Sequence, residues 1–215
     1  MDEQTRQSEF MLAMTTEHFV LQTAASSTIS EAAARGSLYV FSLSSSLVAI
    51  GFTAQLPDVF MPFVAAVLPA VFLLGVFSVV RLVDTTLENM EYLAGIARIR
   101  SYYRSLTPEA ASYFAADKGR WPEVKSETSV RLGPFIAFLG TTSSMIAFIN
   151  NVVAGAGVTL LVNTLLGGDH VRIAVACGVV SVVTLMMVFL TYQRWRFSIF
   201  ELAMHPGRSA KDETV

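Results

Sequence analysis

Apolar and polar positions alternate along this chain in long blocks. Apolar runs occupy approximately Leu38 to Leu56, Pro62 to Val80, Gly133 to Leu166 and Val171 to Tyr192. Each has the length that a helix needs to cross a ~30 Å hydrocarbon core. The third run has no charged residue, and as one helix it would be about 50 Å long. Along it Gly140, Ser144, Ala147, Asn151, Gly155, Thr159 and Asn163 recur almost every four residues, a row of small and polar side chains on one helical face. Ser42, Ser46, Ala49 and Thr53 form a second, facing row in the first run. Such rows suit helices that pack closely where lipid surrounds them.

The blocks between are also helical in pattern. Phe10, Met14, Leu21, Ala25, Ile29 and Ala32 recur at helical spacings across residues 8–35, which predicts an amphipathic helix continuing, with a kink at Gly36, into the first span. Pro62 suits the first turn of the second span, and Pro69 should bend it. In the polar segment 81–132, Leu87, Met90, Ala94 and Ala97 share a face, and Thr107-Pro108-Glu109 predicts a new short helix over 108–115. Residues 117–131 read as a surface loop. Gly167-Gly168-Asp169-His170 is a tight turn. The last helix continues to about Met204, and Pro206-Gly207 opens a polar tail within 193–215.

Composition fits this picture. Among 215 residues, 53% are hydrophobic and 15% charged, and the mean hydropathy is +0.54. One soluble core of this size does not absorb so much apolar surface. Residues 81–132 carry eight Lys and Arg and the segment after Tyr192 four, whereas the turn between the first two spans has none and the last turn only Arg172. The positive-inside rule then sets both termini and the middle segment in the cytoplasm. No cleavable leader is visible at the N-terminus, so the first span is expected to act as its own insertion signal. The fold class expected is all-α: an integral membrane four-helix bundle of the bacterial inner membrane, whose helices extend into a small cytoplasmic helical cap.

Chemistry is sparse. One cysteine, Cys177, allows no internal disulfide, and it reads as a buried structural thiol of the last span. Three histidines on two sides of a membrane assemble no metal site, so neither metal nor cofactor is expected. No phosphate loop, serine elbow or zinc motif occurs, which argues against an enzyme, and a net charge of -2 gives no attraction to nucleic acid. Arg98, Arg100 and Arg104, with Tyr102 and Tyr103 between them, offer contact to an anionic lipid or ligand or act only as positive-inside charges. Asn150 and Asn151, with Asn163, line a pore or only bond helix to helix.

Glu17-His18-Phe19-Val20-Leu21-Gln22-Thr23-Ala24, with Ser30-Glu31 and Arg35, resembles the opening of small, uncharacterised four-span membrane proteins of actinobacteria. Arg98-Ile99-Arg100-Ser101-Tyr102-Tyr103 and Ile149-Asn150-Asn151-Val152-Val153-Ala154-Gly155 are similar to two further segments of that group. The resemblance covers most of the chain and implies no activity. In layout the chain is also loosely similar to bacterial membrane effectors of nucleotide-signalled phage defence, although no separate nucleotide-sensing domain is recognisable. The expectation is a non-enzymatic, self-associating inner-membrane protein acting as a channel-like or membrane-perturbing component. The alternative is a structural or regulatory subunit whose cytoplasmic helices dock another protein. The partners expected are the lipid bilayer, with a second copy or a cytoplasmic protein open alongside it.

Overall fold

The computed structural model describes residues 2–114 and 141–204, and it is helical throughout. Helix α1 spans Glu3–Thr53, α2 Pro57–Leu106, the single turn α3 Ala110–Tyr113, α4 Thr142–Leu165 and α5 Val171–Met204. Four of these are long and apolar enough to cross a membrane. Residues 115–140 and 205–215 lie outside the described residues, and with them the loop 117–131, the polar tail and Gly140.

Several boundaries differ from those expected. The outer helix 8–35 continues into the first span as expected, because nothing from Glu3 to Thr53 removes a backbone donor, but the single helix runs from Glu3 to Thr53 and not from 8 to 56. Helix α2 starts at Pro57, where the missing N–H costs nothing, and not near Pro62, which lies with Pro69 inside it. The expected helix 108–115 shrinks to α3, with the Ala110 amide bonded to Thr107 Oγ1 at 3.1 Å.

The rod expected over Gly133–Leu166 is corrected more substantially. Thr141 is extended (φ -72°, ψ 149°), and its side chain accepts the Ser144 amide, so α4 begins only at Thr142. At its other end Gly167 and Gly168 take φ of 71° and 89°. The Gly168 amide reaches the Asn163 carbonyl at 2.9 Å and the Gly167 amide that of Thr164 at 3.2 Å. This double bond pattern closes a helix with left-handed residues, a conformation glycine adopts without a Cβ penalty.

The chain divides into two units. The first holds α1 through Ala33 and α2 from Asp84. In it the covered or half-covered residues of α1 include Met11, Met14, His18, Leu21, Ala25 and Thr28, and those of α2 form a broader face that includes Thr85, Leu87, Asn89, Tyr92, Ala94, Ile96, Ala97, Ile99, Arg100 and Tyr103. The α1 set steps alternately by three and four, the 3.5-residue repeat of a coiled-coil seam. Asn89 Nδ2 donates across the seam to the Ala25 carbonyl at 3.0 Å and to Thr28 Oγ1 at 2.7 Å. Phe10 packs edge-on against Tyr102 at 5.4 Å, so the two helices run antiparallel. Of the faces expected from the sequence, Met14, Leu21, Ala25 and Ala32 of α1 and Leu87, Ala94 and Ala97 of α2 are covered or half-covered. Phe10, Ile29 and Met90 are exposed, and His18 and Thr28 replace them inside. A 3.6-residue count drifts off a 3.5-residue seam, and polar side chains carried no weight in it.

The second unit holds α1 from Ala34, α2 through Val83, α4 and α5. Its α4–α5 pair is antiparallel, with Ser144 opposite Gln193, Asn151 opposite Met186 and Gly155 opposite Val182. Gly36 lies beside Thr142 and Ile146. The Thr141 cap thus stands level with Arg35 and Arg194, the last charges before the uncharged stretches of α1 and α5.

In the first unit, burial and then the Arg100 guanidinium hold the His18 imidazole below its ordinary value of 6.5. The folded seam thus favours the neutral ring, while the unfolded chain takes up a proton as pH falls through about 6.5. The stability His18 contributes is present above that pH and is lost below it. The protection of residues 10–30 against hydrogen exchange, taken relative to the intrinsic rate at each pH, should fall between pH 7 and 5, and His18→Gln should flatten that dependence.

Candidate functional site

The polar side chains of α4 converge on its neighbours in the second unit. Asn150 is 2% exposed and Tyr39, one turn past Gly36 on α1, is 0% exposed. The Tyr39 hydroxyl donates to Asn150 Oδ1 at 3.2 Å, and Asn150 Nδ2 donates to the Phe72 carbonyl of α2, also at 3.2 Å. Beside them a Cβ on Gly75 would overlap the Asn150 amide. One amide therefore ties three helices, and it fits because α2 has no side chain at Gly75.

The other members of the row lie round the helix from Asn150 and meet α5 instead. Asn151 Nδ2 points to Met186 Sδ at 3.8 Å, a weak acceptor. Ser144 Oγ donates to Gln193 Oε1 at 3.4 Å, and Gln193 is 1% exposed. Thr141, Ser143 and Ser144 link their hydroxyls at 2.9 to 3.0 Å. One helical turn beyond Asn151 the two backbones come together. A Cβ on Gly155 would lie 2.9 Å from the Gly178 oxygen, and one on Gly178 would lie 2.7 Å from the Gly155 oxygen. Thr159 fits against Gly178 and returns its hydroxyl to the Gly155 carbonyl at 2.9 Å. Ala147 is buried, and Asn163 keeps a buried Oδ1 that no described residue meets.

The remaining candidates are dispersed. Ser42, Ser46, Ala49 and Thr53 share the half-covered side of α1, with Ser46 and Thr53 bonded to their own helix at 2.7 and 2.9 Å. Arg98 is exposed, Arg100 is buried near His18, and Arg104 donates to the Phe114 carbonyl at 3.2 Å, so the three do not form one surface. Cys177, expected inside, is exposed on α5, because Ala174 and Gly178 occupy the inward side. Tyr39, Gly75, Gly178 and Gln193 escaped the sequence reading. For Gly75 and Gly178 the signal was an absent side chain within an apolar run, and for Tyr39 and Gln193 a polar side chain near the end of one.

Between α2, α4 and α5 lies an apolar cavity of about 900 Å³, lined by residues that include Leu68, Pro69, Gly157, Leu161 and Leu185. Comparison with protein-family models, with curated proteins and with solved structures finds no match. The chain is thus defined by its own geometry: an all-helical bundle with four helices long and apolar enough to span a membrane, the pattern that suggests a multi-pass membrane protein.

Two substitutions test the packing. Asn150→Leu should lower stability by about 1–2 kcal/mol, since it removes both bonds and strands the Tyr39 hydroxyl. Gly178→Ala should cost about 1–3 kcal/mol by forcing two backbones apart. Gly51→Ala, where nothing lies within 4 Å, is the control and should lose nothing. Unfolding in mixed micelles measures all three.

Proposed function

We propose that this is a non-enzymatic, multi-pass protein of the bacterial inner membrane, with both termini and the helical hairpin in the cytoplasm. Its role is that of a structural or regulatory subunit: the bundle anchors the hairpin, and the hairpin docks another protein. One observation carries this reading. On α1, opposite the seam, Leu12 and Phe19 are 69% and 62% exposed, one heptad apart and outside every uncharged stretch. The positive-inside distribution of Lys and Arg supports the orientation.

The polar row of α4 supports the same assignment by what it is engaged in. Asn150 and Ser144 bond to groups of the same chain and Asn151 Nδ2 turns to Met186 Sδ, so most of the row is engaged within the bundle. A channel-like component is the second reading, favoured by the buried Asn163 Oδ1 that lacks a partner among the described residues. Ion and dye flux through proteoliposomes separates the two. The subunit reading expects no flux above that of empty vesicles, and Asn151→Leu should change the unfolding midpoint alone. Flux that Asn151→Leu abolishes would establish the channel.

A further inference from the structure

The apolar cavity does not end where α2 and α4 leave it. Along α5 a shallow furrow of about 560 Å³ continues from it, sharing Val180 and Ser181 and running past Cys177 and Ala176 to Arg172. Small side chains at 176, 177 and 181 make the furrow, and the exposed Arg172 lines it nearest the start of α5.

We propose that furrow and cavity form one binding site for an anionic phospholipid, its phosphate on Arg172 and an acyl chain laid along α5 into the cavity. The site rests on the membrane-spanning reading above. Three observations select this occupant. The lining is almost wholly apolar: Ser181 and Thr164 donate to their own helices at 2.9 and 2.8 Å, which leaves Thr184 as the one hydroxyl open to the cavity among the described residues. From Arg172 to Leu185 the site is about 20 Å long, two thirds of a ~30 Å hydrocarbon core, so it runs from one face past the mid-plane and can take an acyl chain. At the end of that length stands an exposed cation that forms no ion pair with a described residue, where a phosphate would lie. Asp169, in the turn just before α5, opposes the anion and keeps the preference modest.

The test uses the full chain, stripped of lipid in a neutral detergent and titrated with phosphatidylglycerol or phosphatidylcholine of identical chains. Bound lipid is counted by native mass spectrometry, and alkylation of Cys177, the chain's one cysteine, reports cover of the furrow. Phosphatidylglycerol should bind about five-fold more tightly and should slow alkylation more at equal concentration. Arg172→Gln should reduce it to the level of phosphatidylcholine, while Leu161→Trp, which fills the cavity, should weaken both lipids alike. Equal binding of the two lipids by the unaltered chain would overturn the site. So would alkylation that slows with protein concentration in the absence of lipid, since a second copy would then be the occupant. A chain that fails to float with liposomes would overturn the membrane reading itself, and the site with it.

Discussion

A polar group that has left water must find a partner, and in this protein that requirement decides where α4 can sit. The Asn150 amide has its oxygen bonded to α1 and its nitrogen to α2. It can do so only at the height of Gly75, where the neighbouring helix has no side chain. Shifting α4 by one residue would turn the amide about 100° and leave a buried donor and acceptor unmet, at a cost of several kcal/mol in an apolar setting. Apolar packing alone would tolerate many offsets between smooth helices. The amide selects one.

The α4–α5 pair is held by a different device. Gly155 and Gly178 bring two backbones close enough that either Cβ would collide with the opposite carbonyl. Close approach increases dispersion contact along the seam, and Thr159 fills the space beside it. The two-glycine turn at 167 and 168 fixes the same pair from the other end. In the first unit α1 presents heptad-spaced residues instead, with Asn89 of α2 bonded across to it. Close glycine contact suits surroundings without a hydrophobic driving force between helices, and a heptad seam suits water.

The sequence made the four long helices legible, because uncharged runs of twenty residues have few other uses. The row on α4 was legible as a row, since steps of four survive any error in the ends. What each member touches was not. Asn150 and Asn151 are adjacent, and neighbouring positions on a helix point about 100° apart, so one meets α1 and α2 while the other meets α5. Helix starts were harder. Thr141 caps α4 inside a run that read as uniformly apolar, and the cap depends on one hydroxyl and an extended backbone. The hairpin seam was legible only in part, because His18, Thr28 and Asn89 are polar and a hydrophobic count passes over them.

The place of Asn150 in the chain also bears on how the molecule comes together. During synthesis α1 and α2 emerge well before α4, so Tyr39 and the notch at Gly75 wait for an amide still to be made. Until it arrives, Asn89 is the amide that joins the early pair, and a truncated product ending ahead of residue 150 would leave the Tyr39 hydroxyl without its acceptor. Quality-control proteases that sense loose helix pairs would find such a product an easy substrate, and the finished chain a poor one.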